Sequence, residues 1–507
     1  MKKMKRIIII SAISIILIGG LIFGFYKLFK DKNSLTIAEK TWISNNKNSV
    51  YTINVPNDIN VFGKNGAGVF FDFINSLDEE LSLKLNSSVY SVNSTNDSLG
   101  FNVDTSYNSR DLLIYMDYFV LISKDKNSVV NLEKIADKTI GINGKDLSYV
   151  SSYYSLSNTI KSYDSGDALF KGLEDNEVSY VIVPLNQYKD TIVSKSYNVS
   201  YFFNDAKVYY YLHLGNDKTL NSIITKYYKV WMNNEYNKSY NRNNYNLFIN
   251  SLKITDIQED ELTDKSYIFE YLVNQPYQLI SRGDFTGVVS EYLNSFTEFS
   301  DIEFEYSKVK KFNNLKSNIS KKKIDLYFNQ YNYSSAYSNI NINFNIDYYL
   351  ISNREVKLNI DSLKSYNGEI YVEENSMLYE YLSNYKNITT KTYSKLSKVK
   401  SLIKKDNIVL VDKLSYDNYL VDNLSNVHIL LEDTVDNKTY TFNYKNGEDI
   451  FFKLFSSYVN TLNPKEVVDD SLNTYFETYE AGSRTVKLAR YIIMLIIILV
   501  VGTYLLI

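Results

Sequence analysis

The chain has 507 residues, and its 55 basic and 58 acidic residues leave a formal net charge of −3. This balance gives no basic field for nucleic acid, so a nucleic-acid partner is not expected. The absence of cysteine excludes disulfides, thiolate catalysis and cysteine-bound zinc. Only four prolines and 18 glycines, with aromatic residues at 15%, indicate folded domains rather than a low-complexity chain.

The first predicted element is a transmembrane helix. Residues 7–26 carry no charge, and about 20 apolar residues are enough to cross the hydrocarbon layer. Basic residues before this run favour a cytoplasmic N-terminus. The run is long for a signal-peptide core and no small-x-small cleavage site follows it, which favours an anchor over a cleaved signal peptide. We expect residues 1–32 to hold a cytoplasmic N-terminus and this helix in the cell membrane, and residues of about 33–485 to be extracellular.

Between its two ends the sequence repeats itself once. The run that starts at Gly68 contains valine, an acid at Asp72 and then Asn-Ser. The same types recur in the same order from Gly287, with the acid at Glu291. Further matched segments follow in order along both copies: 119–123 with 348–352, 139–142 with 369–372, 181–188 with 409–416, and 220–228 with 450–458. A repeat of whole-domain length excludes a solenoid.

Each copy of the repeat alternates predicted strands and helices. Short apolar runs at 181–183 and 408–411 are typical of buried parallel strands, whereas residues 68–85 place apolar residues at helical spacing. Such alternation implies an α/β fold with right-handed crossovers.

The order of these motifs resembles the bacterial extracellular solute-binding proteins of family 3, which have the type II periplasmic-binding, or Venus flytrap, fold. The resemblance rests on a strand containing Pro56 that leads into the Gly-Val-aromatic-Asp helix, on the element at 132–142, and on Ser-Tyr-Asp-Ser-Gly-Asp-Ala-Leu at 162–169. It implies two tandem bilobal α/β domains, at residues 45–250 and 265–462. Each would close on a small ligand, and the pair would be flanked by N- and C-terminal transmembrane helices.

The resemblance also implies ligand-binding residues. In amino-acid-binding members an arginine binds the ligand carboxylate and an aspartate at the end of a late strand binds the amine. Arg110, beside Ser109, matches the first role by bidentate pairing, and Asp412 matches the second. Pro184 takes the aspartate position in the first copy, and the stretch 328–347 of the second has no arginine. Neither copy keeps both anchors, so a standard α-amino acid bound in the usual way is not expected.

Two further sets of residues bear on function. The turn at 141–144, followed by Asp146 and Ser148, would present helix-terminal amides to an anion; an ordinary strand-to-helix turn is the alternative. His213 and His428 fall in different copies and are expected at the surface or at strand edges. We therefore expect no metal, no cofactor and no catalytic residue.

The last predicted elements are a juxtamembrane helix at 464–490 and a second span at 491–507. Pro464 suits a helix start, and apolar residues recur after it at helical spacing. Such a helix would transmit closure as a shift or rotation, and a passive stalk is the alternative. The final run is uncharged and near the lower length limit for a span. Continuation into the cytoplasm beyond Ile507 and a short tail anchor both stay open.

We favour the extracytoplasmic small-solute sensing region of a bitopic bacterial membrane receptor. It is similar to the input half of tandem-flytrap histidine kinases and of diguanylate cyclases with solute-binding input domains. The expected partners are a small polar solute such as an amino acid or related compound, the lipid bilayer, a second copy of the chain and a cytoplasmic signalling module. The alternative is a membrane-tethered tandem solute-binding component of an ABC-type importer, with a permease partner. A wall enzyme with a binding module and a surface adhesin are further alternatives, and no enzymatic activity is expected.

Overall fold

The computed structural model covers the chain between its two ends in segments. The described residues are 34–92, 97–126, 131–331, 333, 335–353, 363–421 and 424–473. They divide into one unit of the residues up to Tyr115 with Tyr209–Tyr240, and another of Met116–Val208 with the residues from Asn241 onward. No helix in these segments is both long and apolar enough to cross a membrane. The predicted spans at 7–26 and 491–507 lie outside the described residues.

The elements are numbered in chain order. The helices are α1 (Ile37–Asn46), α2 (Val69–Leu81), α3 (Gly144–Tyr153), α4 (Gly166–Glu174), α5 (Lys189–Ser194), α6 (Lys218–Asn234), α7 (Tyr236–Leu252), α8 (Asp256–Thr263), α9 (Val288–Ser300), α10 (Phe312–Ser320), α11 (Met377–Ser383), α12 (Val399–Ile403), α13 (Lys413–Ser415) and α14 (Ile450–Asn460). A further helix, α15, begins at Pro464 and is described to Asn473. The predicted helix at 464–490 is therefore helical in its described part.

The strands follow the same numbering. They are β1 (Val50–Pro56), β2 (Asp58–Ile59), β3 (Gly63–Lys64), β4 (Lys84–Tyr90), β5 (Gly100–Asp104), β6 (Leu112–Ser123), β7 (Thr139–Asn143), β8 (Thr159–Tyr163), β9 (Tyr180–Pro184), β10 (Asn198–His213), β11 (Ser266–Leu272), β12 (Leu279–Ser281), β13 (Asp284–Thr286), β14 (Glu303–Val309), β15 (Leu326–Asn329), β16 (Ser338–Ser352), β17 (Gly368–Glu373), β18 (Ile388–Tyr393), β19 (Val409–Asp412) and β20 (His428–Tyr444).

In the first unit, the strand order is β4-β1-β5-β10. Strand β1 is parallel to β4 and β5, and the end of β10 from Tyr209 onward is antiparallel to β5. Helix α2 lies over this sheet with its apolar face inward, because its valine, phenylalanine and leucine residues recur at helical spacing and are buried. Phe70 stacks on Phe101 of β5, and Phe73 packs edge-on against Trp231 of α6.

The part of the first repeat that lies in the second unit, Met116–Val208, is called the second lobe of the first repeat. Its strand order is β10-β6-β9-β7-β8. Strand β9 is parallel to β7 on one side and antiparallel to β6 on the other. The predicted strand at 181–183 is thus present, but only one of its neighbours is parallel, because the long strand β6 runs against it.

The second repeat forms a sheet of order β14-β11-β15-β20-β16-β19-β17-β18. The first repeat has the same order with strand numbers lower by ten. Its run β4-β1-β5-β10 corresponds to β14-β11-β15-β20, and its run β10-β6-β9-β7-β8 corresponds to β20-β16-β19-β17-β18. The small hairpin β2-β3 has its counterpart in β12-β13. The structure therefore confirms the mixed α/β class and the internal repeat, while the domain boundaries at 45–250 and 265–462 stay predictions.

The repeated glycine motif begins a helix in both copies. Gly68 and Gly287 are the residues before α2 and α9, with φ of 119° and 104°. A Cβ atom on Gly68 would lie 2.6 Å from the Phe62 carbonyl oxygen, and one on Gly287 would lie 2.6 Å from that of Pro276. Glycine is required at both positions because any side chain would clash and would resist a positive φ.

Strands β16 and β20 run the whole length of the second repeat. The part of β16 and β20 that pairs from Ser338 to Asn345 lies beside β15, β11 and β14. These strands together are called the first lobe of the second repeat. The part that pairs from Asp347 to Ser352 lies beside β19, β17 and β18, which together are called its second lobe. The register shifts between Asn341 and Phe344 and again before Asp347, and Asn343 has a φ of 53°. These irregularities bend the two strands at the boundary between the lobes.

Candidate functional site

A small cavity lies between the two lobes of the second repeat. Its volume is about 30 Å³, which is room for one group about the size of a water molecule. Tyr277 and Gln330 line it from the first lobe, and Glu373, Tyr393 and Asp412 line it from the second. It is called the cleft cavity.

Asp412, predicted as a ligand-binding residue, lies at the end of β19 and faces this cavity. Its carboxylate accepts hydrogen bonds from the hydroxyls of Tyr277 at 2.8 Å and Tyr440 at 3.0 Å. It also accepts from the backbone N–H of Ser415 at 2.8 Å and from the Ser415 hydroxyl at 2.9 Å. Burial raises the pKa of Asp412, and these hydrogen bonds act in the opposite direction. Because Tyr277 belongs to the first lobe, its bond to Asp412 joins the two lobes.

Two more contacts hold the lobes together. The Ser415 hydroxyl lies 2.9 Å from the Gln275 carbonyl oxygen and shares its one proton between this oxygen and Asp412 Oδ1. Tyr331 forms an isolated antiparallel bridge with Ser376, the residue that caps α11. The second repeat is therefore closed across its cleft.

Glu373 ends strand β17 and is the second carboxylate of the cleft cavity. Burial raises its pKa to about 7, and the negative charges of Asp412 and Glu374 contribute to the rise. None of the described residues donates a hydrogen bond to its carboxylate or forms an ion pair with it. The sequence patterns did not single out Glu373. The only signal available was an acid at the position that matches Asn143 in the first repeat, directly before helix α3.

Gln330 follows β15 and is only 3% exposed. Neither atom of its amide meets hydrogen-bond geometry with a described residue. The amide lies near the Tyr331 hydroxyl. Burial raises the pKa of Tyr331, and the nearby amide offsets part of that rise. A buried amide without hydrogen bonds is costly, so this residue is also a candidate for ligand contact. Nothing in its sequence context distinguishes it from other glutamines.

The other predicted site residues lie elsewhere. Ser109 and Arg110 are exposed in a turn of the first unit, where the Arg110 backbone N–H donates to Asn108 Oδ1 at 3.1 Å. No described residue forms an ion pair with the Arg110 guanidinium. Asp146 and Ser148 are both on α3 in the second unit; Asp146 is half-buried, with its pKa raised by burial, and Ser148 is exposed. The role of these four residues in ligand binding stays a prediction.

The two histidines do not form a site. His213 ends β10 in the first unit, and its Nδ1 lies 2.9 Å from Asp111 Oδ1, a partner that the sequence did not predict. His428 is exposed at the start of β20. Across the described segments, no group of three or more histidine or acidic residues is placed to hold a metal ion.

A second polar site lies where the chain leaves the second repeat, at the end of α14. The Asn460 side chain donates to the Tyr197 carbonyl at 3.0 Å and accepts from the backbone N–H of Val199 at 3.0 Å. It also accepts from Asn343 Nδ2 at 3.4 Å. One amide therefore connects the second lobe of the first repeat, the bend in β16 and the end of α14.

The start of α15 is fixed in the same region. Asn463 caps the helix by accepting from the Lys465 N–H at 3.1 Å, and it donates to Asn204 Oδ1 at 2.7 Å. One turn later the Tyr118 hydroxyl donates to Glu466 Oε1 at 2.6 Å. Burial raises the pKa of Glu466. The contacts of Asn460, Asn463 and Glu466 are together called the helix junction.

No protein-family model matches the sequence, and no curated protein matches it. Solved structures resemble the chain at low identity. The B. pertussis BvgS periplasmic domain is 12% identical at a TM-score of 0.35, over 86% of this chain and 91% of that one. A chain described as VC protein is 14% identical at 0.47, over 83% and 100%. Substrate-binding domain 2 of Lactococcus lactis GlnP is 14% identical at 0.31, over 41% and 94%. Likeness at this level is weak, so the fold is defined by the strand order of the chain itself.

Proposed function

We propose that this chain is the extracytoplasmic sensing region of a membrane receptor, and that it responds to a small polar solute. In this proposal the lobes of the second repeat open and close on the solute, and the movement reaches α15 through the helix junction. The observation that carries the proposal is the set of hydrogen bonds made by Asn460, because it connects the bend between the lobes to the residues that precede α15.

Strands β16 and β20 provide the mechanical link between the lobes. Both strands belong to both lobes, so a change in the angle between the lobes changes their bend. Asn343 lies at that bend and is bonded to Asn460. Asn460 in turn is bonded to Tyr197 and Val199, which hold it against the second lobe of the first repeat. A change in bend therefore either breaks these bonds or displaces the start of α15.

A solute can drive this movement only if it binds the open and closed arrangements with different affinity. The hydrogen bonds that cross the closed cleft include those from Tyr277 to Asp412 and from Ser415 to Gln275. A solute that bonds to both lobes would add to these contacts and favour closure. We propose that membrane spans at 7–26 and 491–507, dimerisation and a cytoplasmic output module complete the receptor.

Hydrogen exchange on the full chain tests this coupling. L-arginine, L-glutamine and ethylammonium chloride would each be tested for a rise in Tm, and exchange at 463–473 would be compared with and without each solute that binds. We expect binding to change exchange there, and Asn460→Ala to remove that change while the rise in Tm persists. Asn313→Ala, an exposed asparagine on α10, is the matched control and should behave as the parent chain.

Two results would contradict the proposal. One is that none of the three solutes raises Tm. The other is a solute that binds while exchange at 463–473 stays the same. Loss of uptake of a bound solute in a deletion strain, with no change in any cellular response to it, would favour the importer instead.

A further inference from the structure

The cleft cavity contains polar groups whose hydrogen bonding is unequal. Asp412 accepts hydrogen bonds from the hydroxyls of Tyr277 and Tyr440 and from the backbone N–H of Ser415, and it shares the proton of the Ser415 hydroxyl. The carboxylate of Glu373 accepts no hydrogen bond from the described residues. Gln330 is only 3% exposed, and neither atom of its amide is in hydrogen-bond geometry with a described residue. Buried polar groups are nearly always satisfied in folded proteins, so the Gln330 amide points to a ligand, and the half-buried carboxylate of Glu373 lines the same cavity.

The charge of the cavity restricts that ligand. Its described lining includes the carboxylates of Glu373 and Asp412 and no lysine, arginine or histidine. Two acids close together in a buried site repel each other, and a cation placed between them relieves the repulsion. The carboxylate of an α-amino acid would instead meet two like charges and no cationic partner. The charge therefore selects a cation without a carboxylate.

The remaining lining residues and the volume restrict it further. Tyrosine rings line the cavity, and aromatic faces attract ammonium groups. Apolar side chains complete the wall: Met377, Leu378, Leu396 and Leu410. The volume of about 30 Å³ accommodates one ammonium group. Among the described residues no cluster of three metal-ligating side chains occurs, which favours an organic cation over a metal ion.

We propose that the cleft cavity binds the ammonium group of a small primary alkylamine, with Glu373 as its charged partner and the side-chain oxygen of Gln330 as a hydrogen-bond acceptor. This proposal rests on the proposed function, for which it names the ligand class. Glu373 rather than Asp412 is the charged partner because the hydrogen bonds to Asp412 already come from Tyr277, Tyr440 and Ser415. Asp412 then holds the lobes together while Glu373 binds the ligand.

Calorimetric titration of the full chain with ethylammonium chloride tests the proposal, at about pH 8 where Glu373 is ionised. Sodium and potassium chloride at the same concentrations are the ionic controls. We expect saturable binding of ethylammonium that Glu373→Gln weakens at least about tenfold, the equivalent of one pKa unit of interaction. Glu374→Gln, an exposed carboxylate one residue away, should leave the affinity within about twofold.

Three outcomes would overturn the proposal: no saturable binding of ethylammonium, an equal response to sodium or potassium, or undiminished binding by Glu373→Gln. The Tm of Glu373→Gln without ligand shows whether the variant is folded, and it should be no lower than that of the parent chain. The two proposals fail separately. If arginine or glutamine alters exchange at 463–473 but ethylammonium does not bind, only the ligand class is wrong. If ethylammonium binds without altering that exchange, the ligand class stands and the coupling is wrong.

Discussion

Replacing Glu373 with glutamine changes the stability of the second repeat in a direction that depends on pH. The pKa of this carboxyl is raised from an ordinary 4.5 to about 7 by burial and by the charges of Asp412 and Glu374. The folded chain thus penalises the ionised form. Glutamine has nearly the same shape and carries no charge at any pH, so the substitution removes the penalty and little else.

Proton binding sets the direction in which the free energy of unfolding changes with pH. Between pH 4.5 and about 7 the folded state holds a proton on Glu373 that the unfolded state has released. The free energy of unfolding of the parent chain therefore falls as pH rises through this window, and the loss is complete above it. A difference of about 2.5 pKa units, at about 1.4 kcal/mol each, amounts to about 3.5 kcal/mol.

The assay is urea unfolding of the parent chain, Glu373→Gln and the control Glu374→Gln at about pH 4.5 and about pH 8. Both tryptophans, Trp42 and Trp231, lie in the first unit, so tryptophan fluorescence would not report on the second unit, and circular dichroism, to which both units contribute, is used instead. Phosphate and acetate buffers are used because an amine buffer would compete for the proposed site.

We expect the free energy of unfolding of Glu373→Gln to match that of the parent chain near pH 4.5 and to exceed it by about 3.5 kcal/mol near pH 8. The exposed control Glu374→Gln should change by less, about 0.5 kcal/mol. The reasoning is refuted if Glu373→Gln is no more stable than the parent chain at the higher pH, or if its advantage is the same at both pH values.

Other predictions concern the same repeat. Gly287→Ala should lower the free energy of unfolding by about 2 kcal/mol or more in urea titrations, since it adds a clash to a positive φ; Gly283→Ala, at a φ of 102° with open space around it, should cost about 1 kcal/mol from the φ alone. Tyr277→Phe removes a donor to Asp412 and should cost about 1.5–3 kcal/mol by the same assay; no loss would mean that this bond does not hold the lobes together. Asn463→Ala removes the cap of α15 and should cost about 1 kcal/mol, with faster exchange in the first turn; unchanged exchange would contradict the cap. The affinity for ethylammonium should rise about tenfold from about pH 6 to about pH 8 in calorimetry, because Glu373 ionises over that range beside Asp412 and Glu374; an equal rise in Glu373→Gln would assign the effect to another group.

Much of the fold could be predicted from local patterns. The glycine motif marks the starts of α2 and α9 because only glycine tolerates the positive φ and the close carbonyl there. Pro464 marks the start of α15 because proline fixes φ and lacks an N–H that the first helical turn does not need. The direction of strand neighbours could not be predicted in the same way. An apolar run such as β9 indicates burial, but its antiparallel partner β6 comes from a segment about 60 residues earlier, and pairing at that distance leaves no local signal.

The candidate site was predicted only in part. Asp412 was found because an acid directly after an apolar strand is visible in the sequence. Glu373 and Gln330 were missed, since what sets them apart is that no described residue hydrogen-bonds to their side chains after folding, and this depends on segments distant in the sequence. Arg110 was selected by its resemblance to a family motif, and the structure places it in an exposed turn.

The central claim is that solute binding in the second repeat reaches α15, and a distance measurement tests it most directly. The chain has no cysteine, so spin labels can be attached at two introduced cysteines, Lys308→Cys on β14 and Asp469→Cys on α15, both at exposed positions. We predict that a solute shown by calorimetry to bind shifts the distance distribution between these labels, and that Asn460→Ala abolishes the shift. A solute that binds and leaves the distribution unchanged would contradict the claim.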